Sequence, residues 1–126
     1  MSDLCHPDIE IYIRNCNLEQ LELWLASRCS GVARLFSQGR VHEYRGVING
    51  TRVPILVHEK VVGIDWTCIW FRSSHTPWRR DLDCALEVAR ALQTQVRCLT
   101  SDWIRGRGER KWWDIDAGQM NEVVWQ

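Results

Sequence analysis

No stretch of this sequence is long and apolar enough to cross a bilayer. The opening residues, MSDLCHPDIE, have neither the basic start nor the apolar run of a secretory signal, so a cytoplasmic protein without membrane contact is expected. Net charge is absent as well, because 16 Lys and Arg balance 16 Asp and Glu. A chain without excess charge of either sign exerts no long-range pull on nucleic acid or an anionic membrane. The six cysteines (Cys5, Cys16, Cys29, Cys68, Cys84, Cys98) contain no Cys-x-x-Cys pair. Without a secretory signal their even number is weak evidence for disulfides, and free buried thiols are expected. What the 126 residues do hold is the composition of one ordinary globular domain, together with eight tryptophans that need an explanation.

The stretch Asp8 to Leu25, DIEIYIRNCNLEQLELWL, sets the pattern for the rest. Ile9, Ile11 and Ile13 alternate with Glu10, Tyr12 and Arg14, the period of a strand with one buried face. Asn17 followed by Gln20 has the spacing of a capping box, in which each side chain satisfies an orphan backbone N–H at a helix start. The helix then runs from about Leu18 to Cys29, with Gly31 as its C-terminal stop. Val32 to Phe36 reads as a short strand.

Asn49-Gly50 lies between two strand-like runs and predicts a two-residue type I′ hairpin. The turn fixes the register: Ile48 faces Thr51, Gly46 faces Val53, Tyr44 faces Ile55 and His42 faces Val57 on the side that should meet a core. Pro54, which lacks a ladder donor, suggests an edge or a bulge. Asp65 to Arg72 is apolar on both faces and should be a central strand. Thr76-Pro77 predicts an N-cap and first helical position. Leu82, Ala85, Leu86, Ala89 and Leu92 mark an amphipathic helix. Val96 to Leu99 reads as a strand, and Lys111 to Asp116 with Glu122 to Trp125 as a second hairpin around Ala117-Gly118.

The order strand-helix-strand-strand-strand therefore occurs twice, in halves of about 6–60 and 64–126. Ile69-Trp70-Phe71-Arg72-Ser73 echoes Ile11-Tyr12-Ile13-Arg14-Asn15. Laying Gly50 on Gly118 puts Tyr44 over Trp112, Val47 over Ile115, Ile55 over Val123 and Val57 over Trp125. The expected fold class is α+β, with two βαβββ modules, a mostly antiparallel curved sheet and two helices on its outer face.

A paired βαβββ chain of this size resembles the vicinal oxygen chelate superfamily of glyoxalase I, bleomycin-resistance proteins and extradiol dioxygenases, with IEIYIRNCNLEQLELWL similar to its opening strand and helix. The resemblance implies that each module curls into half a cup. It also implies metal ligands, in the metal-dependent members, on the first and last strands of each module. His6, His58 (or Glu59) and Glu122 match those positions in part. The counterpart of His6 is Ile64, and Val124 and Trp125 stand where further ligands are expected, so the set falls short of the three or so that a catalytic metal needs. The resemblance thus implies a metal-free member, of the bleomycin-resistance kind, with no cofactor.

If the isoleucine face packs on the helices, the opposite face gathers Glu10, Tyr12 and Arg14 with Trp66, Cys68, Trp70 and Arg72. Tyr12, Arg14, Trp66, Trp70 and Arg72 are the candidate ligand-binding residues, since aromatic walls with a few charged groups make a small-molecule pocket. Trp66 and Trp70 could instead simply fill a core, which is what large apolar residues on a central strand more often do. Arg14 and Arg72 could hold a carboxylate, or be solvated or salt-bridged. A pairing of Cys68 with His75 lacks a third residue, and Cys68 reads as buried and inert. His42 and His58 fall on opposite faces of their hairpin. The run Arg105 to Trp113 has the ingredients of a single-strand nucleic-acid contact, yet nearby acids offset it and a solvated loop is the simpler reading. Trp103, Trp112 and Trp113 could form a patch for another protein or a homodimer. Three functional classes follow: a non-catalytic domain binding a small organic ligand or a protein, a metal-dependent lyase, isomerase or oxygenase using His6, His58 and Glu122, and an interaction or inhibitor protein with no pocket.

Overall fold

A computed structural model describes residues 8–100 and 111–125. The elements are β1 (Ile9–Arg14), α1 (Leu18–Arg28), β2 (Gly31–Gln38), β3 (Val41–Ile48), β4 (Thr51–Val62), β5 (Trp66–Phe71), α2 (Asp81–Leu92), β6 (Val96–Leu99), β7 (Lys111–Asp116) and β8 (Gln119–Val124). The strands form one sheet in the order β2-β3-β4-β5-β1-β6-β7-β8. Every neighbouring pair is antiparallel. The protein is thus α+β, with two helices and an eight-stranded antiparallel sheet.

Alternation decides which side of the sheet the helices cover. Ile9, Ile11 and Ile13 on β1 have no exposed surface, and they share one core with Ile55 and Val57 on β4 and Ile69 and Phe71 on β5. Leu21, Trp24 and Leu25 of α1 and Cys84, Ala85 and Val88 of α2 close over them. Burying each large apolar side chain contributes roughly 1.5–3 kcal/mol, so this face holds the domain together. Its central strands match the double-sided apolar pattern of Asp65 to Arg72, for β5 lies between β4 and β1.

The Asn49-Gly50 hairpin has the expected register in full, from Ile48↔Thr51 to His42↔Val57. Asn17 caps α1 through the capping box with Gln20, its side chain accepting from the Gln20 amide at 2.8 Å. Three local expectations are corrected. First, α1 stops at a C-cap on Cys29 in extended conformation, so Gly31 opens β2 and is not a left-handed stop. Second, Thr76-Pro77 does not start α2: Arg80 is the N-cap, and the Asp83 carboxylate accepts from its amide at 3.2 Å. The preceding turn is instead pinned by Trp78, whose ring stacks 5.9 Å from Trp24 and lies 5.0 Å from Phe71 while its indole N–H donates to Glu87 at 3.0 Å. Third, Pro54 lies on an interior strand. Its carbonyl, on the side facing β5, accepts from Arg72 just past the end of that strand, so the missing N–H falls where the ladder ends.

The order strand-helix-three strands does occur twice along the chain. The two halves nevertheless pair differently. β5 takes its place beside β4, the last strand of the first half, whereas β1 lies beside β6, the second strand of the other half. The two hairpins also present opposite sides. Tyr44, Ile55 and Val57 belong to the helix-covered core, while Trp112, Val123 and Trp125, which the glycine superposition lays on them, occupy or border the other face.

Candidate functional site

The face of the sheet turned away from the helices carries all five candidate residues. On the central pair β1–β5, Glu10 lies opposite Trp70, Tyr12 opposite Cys68 and Arg14 opposite Trp66. The backbone period that buried the isoleucines places these side chains together, as alternation predicted.

They fall into two clusters. In the first, Tyr12 meets Trp112 edge-on at 5.3 Å and Trp125 at 5.6 Å, and Trp125 lies 4.7 Å from Trp66. Arg97 on β6 enters this group, its guanidinium carbon 5.0 Å from the Trp66 ring centre and 4.7 Å from that of Trp125. Asp114 fixes it there, accepting from Arg97 Nε at 2.6 Å and from Gln95 Nε2 at 2.6 Å. Gln95 in turn accepts from Arg14 at 2.9 Å. The guanidinium therefore packs beside two rings that already touch each other, and the side chains are closely packed at this point. Trp66 and Trp112 are buried, and among the described residues the Trp112 indole N–H is the buried side-chain group with no hydrogen-bond partner.

The second cluster holds Trp70 and Arg72. The Arg72 guanidinium lies 4.9 Å over the Trp70 ring, and the Trp70 indole donates to Asp8 at 3.3 Å. Arg14 and Arg72 stand at opposite ends of the β1–β5 pair, about 20 Å apart along the strands. They cannot clamp a single carboxylate.

Between the clusters Glu10 accepts from the Tyr12 hydroxyl at 3.2 Å and from the Cys68 thiol at 3.5 Å. Burial first, and then the Glu10 charge, push the Cys68 thiol up to about 12. It stays protonated at neutral pH and is no nucleophile. His75 turns away toward Ser73, with Nδ1 3.4 Å from the hydroxyl, so no Cys–His pair forms.

The partial metal set does not converge. His58 pairs with Cys68 on the helix-free face, Glu122 pairs with Trp113 on the other, and four strands lie between β4 and β8. His6 lies outside the described residues, as do Trp103 and the run from Arg105 to Arg110. Among the described residues no group of three His, Cys, Asp or Glu side chains could hold a metal ion. Cys16, Cys29, Cys68, Cys84 and Cys98 are free thiols.

Two further features stand out. His42, buried on the core side where its register places it, has Nδ1 2.7 Å from Ser37 Oγ and Nε2 2.9 Å from Glu59 Oε1. This relay ties edge strand β2 to the strands beside it, and the signal for it was present: a histidine placed on an apolar face must find polar partners. The second is a groove of about 540 Å³ on the helix side, between α2 and the β7–β8 hairpin, with Leu86, Ala89, Ile115 and Met120 in its walls.

Comparison with protein-family models, with curated proteins and with solved structures finds no match. Among the described residues no helix is long and apolar enough to cross a membrane.

Proposed function

We propose that this protein is a non-catalytic binding domain that docks a protein partner on the helix-free face of its sheet. The observation that carries the reading is Arg97, which packs against Trp66 and Trp125, two rings that themselves touch at 4.7 Å, so that this part of the face is built of closely packed rings and a guanidinium. Tryptophan, tyrosine and arginine are the residue types that dominate binding energy at protein interfaces, because each buries a large area and loses little conformational freedom.

The likeness to the vicinal oxygen chelate fold is supported by the order of elements and not by the pairing of the halves. The metal-dependent alternative draws no support from His58 and Glu122, which face opposite ways.

A small-molecule reading has one observation of its own, the groove beside α2, whose volume is within the range of ligand sites. Tryptophan fluorescence titrated with a library of small organic compounds separates the two. Docking predicts no saturable response that depends on Trp70. A compound whose quenching vanishes in a folded Trp70→Ala protein would replace docking by ligand binding on this face, and one whose binding vanishes in Met120→Lys would move the site to the groove.

A further inference from the structure

On the helix-free face at the β3–β4–β5 end, Arg45 lies directly opposite Pro54, and the Arg72 amide donates to the Pro54 carbonyl on the other side at 2.8 Å. Arg45, Pro54 and Arg72 therefore form one row across three strands, with the two arginine Cα atoms about 10 Å apart. Arg52 is the next residue on the same side of β4, about 7 Å from Pro54 along the strand. All three arginines are exposed, and among the described residues none of them forms an ion pair. Pro54 places no long side chain between them. The acids nearest by register are Asp8, which stands beside Arg72 just past the Ile9↔Phe71 pair and accepts from the Trp70 indole, and, one row away, Glu10 opposite Trp70 and Glu43 opposite Leu56.

In a chain whose formal charge sums to zero, three guanidiniums without an ion-pair partner among the described residues, around one small residue, are a local concentration of positive charge. Solvation alone would be served by interspersed signs. Arg72 also lies over Trp70, its guanidinium carbon 4.9 Å from the ring centre, which restricts its side chain and lowers the entropy lost when its donors bind. Guanidiniums at this spacing match successive carboxylates along an extended acidic segment.

We infer that Arg45, Arg52 and Arg72, with Trp70 beside them, recognise a carboxylate-rich segment of the partner protein. The inference rests on the docking reading and names the chemistry of the partner.

A fluorescein-labelled peptide of alternating Glu, Asp and Gly, followed by anisotropy with the intact protein, tests it. Saturable binding is expected at low salt, weakening at 0.3 M salt as charges are screened. It should fall at least tenfold in Arg45→Glu/Arg72→Glu, and persist in Arg79→Glu, whose side chain is exposed in the turn before α2. If the double variant does not fold, Arg52→Glu alone decides, with the same expected direction. Absence of binding, an equal loss in Arg79→Glu, or displacement of the peptide by low-millimolar inorganic phosphate would overturn the carboxylate assignment. Partner crosslinks at the sheet face would then still uphold docking, whereas their absence alone would sink docking itself.

Discussion

Arg97 donates from Nε to Asp114 at 2.6 Å, and the two side chains are mostly buried, at 19% and 14% exposure. This ion pair holds the guanidinium against two tryptophans that touch each other. Arg97→Ala leaves Asp114 with Gln95 alone and uncovers the edges of both rings, at an expected cost of about 2–3 kcal/mol. Arg97→Lys should recover less than half of that, because an ammonium is not flat and cannot stack on both rings. Denaturant melts give the stabilities, and a red shift of tryptophan emission should accompany the alanine variant as Trp66 and Trp125 meet water.

Gly46 on β3 sits beneath the end of α1. A Cβ there would stand 2.7 Å from Cys29 Sγ and 3.2 Å from Ile55 Cδ1. Gly46→Ala is expected to destabilise by about 1–3 kcal/mol through overpacking. Most of that loss should disappear in the Cys29→Ala background, because the sulfur that the new methyl meets is gone. A double-mutant cycle in urea measures the coupling, and additive losses would show that the helix end is not packed against this glycine.

Asp81 begins α2 close to the start of β1, where its carboxylate accepts from the Glu10 amide at 3.1 Å. Burial, with the charges of Glu10 and Asp8, raises its pKa to about 6 despite that hydrogen bond. The folded state thus keeps a proton that the unfolded chain releases near pH 4. Between those values the folded state binds more protons, so this group's contribution falls as pH rises from about 4 to about 6. Asp81→Asn keeps the accepting oxygen and removes the charge. Relative to the parent, it should be more stable at pH 7 by about 1–2 kcal/mol, allowing for its partial exposure, and equal to it below pH 4. Thermal melts across that range check the sign.

Tyr44 is buried on β3, and its hydroxyl donates to Glu22 of α1 at 2.6 Å. Arg34 reaches the same carboxylate oxygen at 3.3 Å. Tyr44→Phe should cost about 1–2 kcal/mol by releasing a charge-assisted bond while keeping the ring. Glu22→Gln should weaken the contact without emptying the core, and chemical denaturation orders the two.

Much of this arrangement was legible in the sequence because it is local. Alternation along Ile9 to Arg14 assigned both faces of β1, and Asn49-Gly50 set the β3–β4 register residue by residue. Strand neighbours were not legible, since β1 meets β5 and β6 through pairings distant in the chain that no local preference encodes. The same gap hid Arg97: its parity between Val96 and Cys98 was plain, but its role depends on β6 lying beside β1 and β7. The start of α2 was misplaced because Thr76-Pro77 has good capping chemistry, while the burial of Trp78 against Trp24 and Phe71 holds that segment in a turn. The candidate residues share one face of the sheet, as their alternation required, and Arg97, which the sequence reading did not include, packs against two of the rings there.

The most direct test of the docking surface is site-specific photocrosslinking in the cells that make this protein. A benzophenone amino acid is placed at Leu56 or Val123 on the helix-free face, and at Leu23, exposed on the outer side of α1. The account predicts one discrete protein adduct from the sheet positions, lost when Trp70 and Arg72 are both changed to alanine, and none from Leu23. Adducts only from Leu23, or none from either sheet position, would contradict it.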